Sequence, residues 1–141
     1  MAYWAEIDEN NIVIRVLKTG NHFLNEGHDF LKNNLGGKWI QTSYNSFHNV
    51  HFDSNGLPDE KLAVRKNFAT SGMIYNEALD AFIFPKPDQF PSWVLNEEKG
   101  CWEPPIPYPG KINTNPKIID MEYIWDEPTL SWVKFVPTNA I

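Results

Sequence analysis

Ten of the eleven prolines fall between Pro85 and Pro137, whereas the first 84 residues of this 141-residue chain contain only Pro58. Proline fixes φ and removes a backbone donor, so this crowding disfavours long helices and central strands in the second half. What remains there is short strands joined by stiff extended spacers. Pro85-Lys86-Pro87 and Pro104-Pro105-Ile106-Pro107-Tyr108-Pro109 are the clearest of these. The first half is free to form ordinary secondary structure.

Composition removes several classes. The chain carries 6 Trp, 5 Tyr and 9 Phe, enough apolar area to offset chain entropy and argue against disorder. A formal net charge of −6 argues against binding to a phosphate backbone, so no nucleic-acid partner is expected. No apolar run reaches the length of a membrane span, and the opening MAYWAEIDEN lacks the basic and apolar regions of a secretory leader. Synthesis in the cytoplasm without a membrane partner is the expectation. Cys101 has no second cysteine to pair with, and beside Trp102 it reads as a small packed hydrophobe.

Residues 3–17 read as a β-hairpin, with Trp4, Ile7, Ile12, Ile14 and Val16 on its strands and Asn10-Asn11 at its turn. Asn25 to Leu35 reads as one short amphipathic helix that ends at Gly36-Gly37 and lies on the sheet. Lys38 to Thr42 follows as a third strand. The fold class expected is mainly β with one short helix (α+β): an N-terminal ββαβ unit followed by Pro-separated β-hairpins. The expected core is Trp4, Ile14, Val16, Phe30, Leu31, Leu35, Trp39 and Ile40. The organisation expected is a small ββαβ unit at 1–45, an extended arm or loop at 46–72 with one edge hairpin including Val50 to Phe52, and hairpin repeats at 73–141.

An octet recurs four times: an apolar residue, Asp or Asn, Glu, four free positions and an apolar residue. It occurs at Ile7 to Ile14, Tyr75 to Phe82, Leu95 to Trp102 and Trp125 to Trp132. If its first and last residues oppose each other across a hairpin, four residues remain for the loop, and the Asp or Asn side chain can bond the turn backbone. The expected cross-strand pairs are Tyr75 with Phe82, Leu95 with Trp102, and Trp125 with Trp132. Isolated hairpins are marginal in water, so these aromatic faces must be buried on the N-terminal unit, on each other or on another chain. The stiff spacers favour the last.

Catalytic and metal signatures are weak. His48 and His51 stand three apart, which on a strand places them on opposite faces, and no HExxH frame accompanies them. Asp53, Asn55 and Asp59 read as a turn with solvated acids, since the spacing departs from a calcium loop. Gly36-Gly37 terminates a helix without any phosphate-binding motif, and no GxSxG is present. Glu97-Glu98 and Asp126-Glu127 fall at expected turn tips, where nothing raises a carboxyl pKa. No enzyme activity, cofactor or metal is expected. Trp93, Trp102, Tyr108, Trp125 and Trp132 are the candidate interface residues, suited to a protein hot spot or to stacking on a sugar.

The segments AEIDENNIVIRVL, GGKWIQTSYN, VRKNFA, DAFIFPKP, SWVLNEEKGCWEPPIPYP and YIWDEPTLSW, in this order, resemble a family of small, mostly uncharacterised proteins of marine tailed bacteriophages, cyanophages among them. The resemblance covers roughly 2–46 and 64–133, with 47–62 standing as an insertion. It implies a phage origin and brings no catalytic residues. The expectation is a virion structural protein that docks on capsid, as decoration or cement, or on tail, with other virion proteins and copies of itself as partners. The alternatives are a glycan- or receptor-binding module that contacts host-surface glycan, and an assembly chaperone.

Overall fold

In the computed structural model, residues 2–20, 24–110 and 122–135 are described. They form a mainly β chain with one helix and several small antiparallel sheets, the α+β class expected. By its contacts the chain falls into two units, one of 1–85 with 96–101 and one of 86–95 with 102–141.

The first unit is built on strands β1 (Ala2–Ile7), β2 (Val13–Thr19) and β3 (Lys38–Thr42), ordered β2-β1-β3 and all antiparallel to their neighbours. Helix α1 (Leu24–Leu35) connects β2 to β3, giving the expected ββαβ order. It ends where Gly36 enters the left-handed region at φ 67° and donates its N–H to Lys32 O at 2.9 Å. Alternation along β1 fills both faces of the sheet. Ala2 and Trp4 meet Leu31 and Trp39 on the helix side. Ala5 and Ile7 join Val13, Ala69, Met73, Tyr75 and Phe82 in the other core cluster.

Three expected core residues are exposed: Ile14 by 48%, Phe30 by 62% and Leu35 by 48%. A bulge between Glu6 and Ile7 shifts the register so that Ile7 opposes Val13 instead of Ile14, and Val13 becomes the inward residue. Among the residues of α1 whose side chains are described, the buried ones are Gly27 and Leu31, four apart on one line, and Phe30 stands about 100° away from Leu31. Leu35 is the last helical residue, beyond which the chain turns at Gly36.

The middle segment is tied down by local geometry. β4 (Ser46–Phe47) and β5 (Val50–His51) form a two-residue hairpin, closed by His48 and Asn49, both left-handed at φ 47° and 64°. The histidines therefore do not share one strand: His48 stacks on Phe47 at 3.9 Å, and His51 Nδ1 lies 2.7 Å from Asp59 Oδ1. Phe52, 1% exposed, pairs with Pro58 across a turn at Asp53 to Leu57.

Asn67 is the polar centre of this unit. It is 6% exposed, its Oδ1 accepts the His48 N–H at 2.8 Å, and its Nδ2 donates to Phe82 O and Gly100 O, both at 2.9 Å. Beside it Arg65 and Lys66 are left-handed at φ 49° and 65°, an arrangement non-glycine residues adopt only when their surroundings fix it. Here Arg65 donates to Gln41 O at 2.8 Å and pairs with Asp80 at 3.0 Å, and Lys66 Nζ donates to Glu97 O at 2.5 Å.

Candidate interaction surface

The octets fold as hairpins. β6 (Ile74–Asn76) and β7 (Ala81–Ile83) place Tyr75 opposite Phe82, and β10 (Tyr123–Asp126) and β11 (Ser131–Lys134) place Trp125 opposite Trp132. β8 (Val94–Asn96) and β9 (Cys101–Glu103) pair with each other and keep the bounds of β6 and β7 relative to the motif. The Asn or Asp closes each loop: Asn76 Oδ1 accepts from Leu79 N and Asn96 Oδ1 from Lys99 N, each at 3.0 Å, and Asp126 accepts from the Thr129 hydroxyl. The fourth loop residue is left-handed in all three, at Asp80, Gly100 and Leu130. The first octet departs from this pattern because of the bulge at Glu6 and Ile7.

Within the second unit, Tyr108, Trp125 and Trp132 come together. The Trp132 ring lies 5.4 Å from Trp125 and 5.0 Å from Tyr108, and Tyr108 meets Tyr123 edge-on at 5.9 Å. Polar tips are satisfied inside the cluster: Trp132 Nε1 donates to Ile106 O at 2.8 Å, and the Tyr108 hydroxyl accepts the Glu122 and Tyr123 N–H groups. The proline spacer thus does more than separate hairpins. Its Ile106 and Tyr108 clasp the third one. Trp93 stacks on Phe90 at 4.6 Å, and Trp102 lies under the Lys86 ammonium, 5.6 Å from its ring centre.

Glu127, expected as a solvated turn acid, is a latch. Ser92 Oγ donates to its Oε1 at 2.6 Å, Ser92 N to its Oε2 at 3.3 Å, and Trp125 Nε1 to Oε1 at 3.1 Å. The Ser92 hydroxyl first, with Trp125, the Ser92 amide and the Lys86 charge, holds this carboxyl below its ordinary range against the opposing effect of desolvation. A group whose folded-state pKa is depressed stabilises fully above its unfolded value, and that contribution is lost as pH falls through the folded value. Acidification should therefore loosen the second unit, and Glu127→Gln should flatten this dependence. Hydrogen exchange of its amides across the acid range checks this, and identical profiles for the two proteins would refute it.

The opposite face of the third hairpin is apolar and open. Ile124 and Val133 are cross-strand partners exposed by 41% and 43%, on the face away from Trp125 and Trp132. Leu130, Phe135, Ile106 and Val94 are exposed as well. Sequence reasoning named the aromatic rings and missed both the latch and this aliphatic pair. The signal for the pair was present, since residues flanking the octet alternate in facing with its aromatic ends. Among the described residues no cluster of His, Cys, Asp or Glu could hold a metal ion, and no helix is long and apolar enough to cross a membrane. Comparison with protein-family models, with curated proteins and with solved structures finds no match to this chain.

Proposed function

We propose that this chain is a structural subunit of a tailed-phage particle, docking on capsid or tail proteins and on copies of itself through its hairpins. The observation that carries this reading is the third hairpin. Its inner face is filled by the chain's own aromatic residues, while its outer face presents Ile124 beside Val133, each exposed over about two-fifths of its surface. Apolar residues grouped on an exposed face are the usual material of a protein interface. The candidate rings lie against one another or against Phe90 and Lys86, which favours protein docking over sugar stacking. The resemblance to marine phage proteins supplies the particle, and the acidic balance would keep the free subunit soluble before assembly.

Mass spectrometry of purified particles should find the protein at a fixed copy number. Particles assembled with Ile124→Ser and Val133→Ser should lose it while the free variant keeps its fold. Absence from wild-type particles would overturn the proposal in favour of an assembly chaperone. Incorporation of the folded double variant at the wild-type level would remove the third hairpin from the interface. Binding on a glycan array, lost on Trp102→Ala, would instead favour the receptor-binding alternative.

A further inference from the structure

Two turns in the first unit are near copies. At Asp8 to Ile12, Asp8 N donates to Ile12 O at 2.9 Å and Asn11 N to Asp8 O at 3.0 Å, while Asp8 Oδ1 accepts from Asn10 N at 2.8 Å and Ile12 N at 3.0 Å. At Asp53 to Leu57, Asp53 N donates to Leu57 O at 2.8 Å and Gly56 N to Asp53 O at 3.0 Å, while Asp53 Oδ1 accepts from Asn55 N at 2.8 Å and Leu57 N at 3.0 Å. The fourth residue is left-handed in both, Asn11 at φ 64° and Gly56 at φ 76°. The apolar residues before and after each turn are paired, Ile7 with Val13 and Phe52 with Pro58. The turns differ on both sides of the central asparagine: Asn10 stands between Glu9 and Asn11, and Asn55 between Ser54 and Gly56.

That difference has a chemical consequence. An asparagine side chain loses ammonia when the backbone nitrogen of the next residue attacks its Cγ, forming a five-membered succinimide. Water then opens the ring to aspartate or, with one extra backbone methylene, to isoaspartate. Attack is eased when the next residue has no Cβ to crowd the ring. The hydrogen bond from that nitrogen and the carboxylate of the first turn residue both oppose the reaction, and Asp8 and Asp53 supply these alike, with Glu9 adding a second carboxylate beside Asn10. Exchanging only the residue after each asparagine isolates the effect of the glycine. We propose that Asn55 is a self-modification site: the Gly56 nitrogen bonds to Asn55 Cγ, ammonia leaves, and one water completes conversion to an acid, while Asn10 in the twin turn is spared. Asn55 is exposed at the tip, so ammonia can leave and water can enter without opening the core. The product adds a negative charge beside Asp53. In its isoaspartate form it also lengthens the turn that aligns Phe52 with Pro58, so the change accumulates with the age of the molecule.

The experiment incubates the folded full-length protein in mildly alkaline buffer and follows both asparagines by peptide mass spectrometry, with fragmentation that separates aspartate from isoaspartate. Asn55 should convert roughly tenfold faster than Asn10 or more, because only Gly56 leaves the attack uncrowded. Exchanging the neighbours should exchange the rates: Gly56→Asn should slow conversion at Asn55, and Asn11→Gly should start it at Asn10. Equal rates in the wild-type chain would overturn the proposal. So would conversion of Asn55 in denaturant but not in the folded protein.

Discussion

Replacing Asn67 with alanine should cost the first unit about 3 to 5 kcal/mol, because two buried carbonyls and one half-buried N–H each lose a partner worth roughly 1 to 3 kcal/mol. Those groups are the His48 N–H and the Phe82 and Gly100 carbonyls. Asn67→Asp should be worse, since a carboxylate oxygen would then face the two carbonyls that Nδ2 now serves. Asn49→Gly is the control: glycine accepts its φ of 64° without strain and the Nδ2 bond lost to Glu98 O is exposed, so the loss should stay near the usual limit of about 0.5 kcal/mol for surface changes. Denaturant unfolding followed by hydrogen exchange at first-unit amides measures all three. An Asn67→Ala cost as small as that of Asn49→Gly would show that the hub is not a stability centre. Gly100 is suited to its place there: at φ 71° it closes its own loop, and a Cβ would come within 3.1 Å of Asn67 Nδ2.

The second large effect is expected at Trp125. Trp125 is 7% exposed, packs on Trp132 and donates to the Glu127 latch, so Trp125→Ala removes both the buried ring of the cluster and one of the latch's donors. Losses of about 3 to 5 kcal/mol accompany deletion of a buried aromatic side chain, a large share of what so small a unit can hold. The exchange protection of β10 and β11 should collapse while that of β1 to β3 persists. Retained protection in β10 and β11 would mean that Tyr108 and Trp132 hold the hairpin without Trp125. Val133→Ser, on the other face, should leave this protection nearly unchanged, which separates folding of the hairpin from whatever binds it.

Features closed within a few residues were legible in the sequence, and features closed over long separations were not. The octet predicts the Tyr75–Phe82 and Trp125–Trp132 pairs because a four-residue loop leaves one register that faces the apolar ends together. The same reading failed at Ile7 because a bulge consumes one residue and leaves no compositional mark. Phe30 and Leu35 looked like core by spacing, yet nothing in the helix alone says how far the sheet beneath it extends. Asn67 and Glu127 could not have been found locally. The partners of Asn67 lie 15, 19 and 33 residues away, and Ser92 lies 35 residues from Glu127. A polar residue among polar neighbours shows no sign that its side chain will be enclosed.

The separations at Asn67 also set an order of events. Hairpins with short loops close in about 1 to 10 μs, whereas contacts distant along the chain wait on slower searches. The links from Asn67 to His48 and Phe82 can form once the β6–β7 hairpin has closed, but the third requires Gly100 at the tip of the next hairpin. During synthesis the Asn67 hub therefore lacks its last partner until that glycine has left the ribosome. A nascent chain halted just before Gly100 would remain open to proteolysis at the Asn67 segment, and one halted well beyond it would be closed.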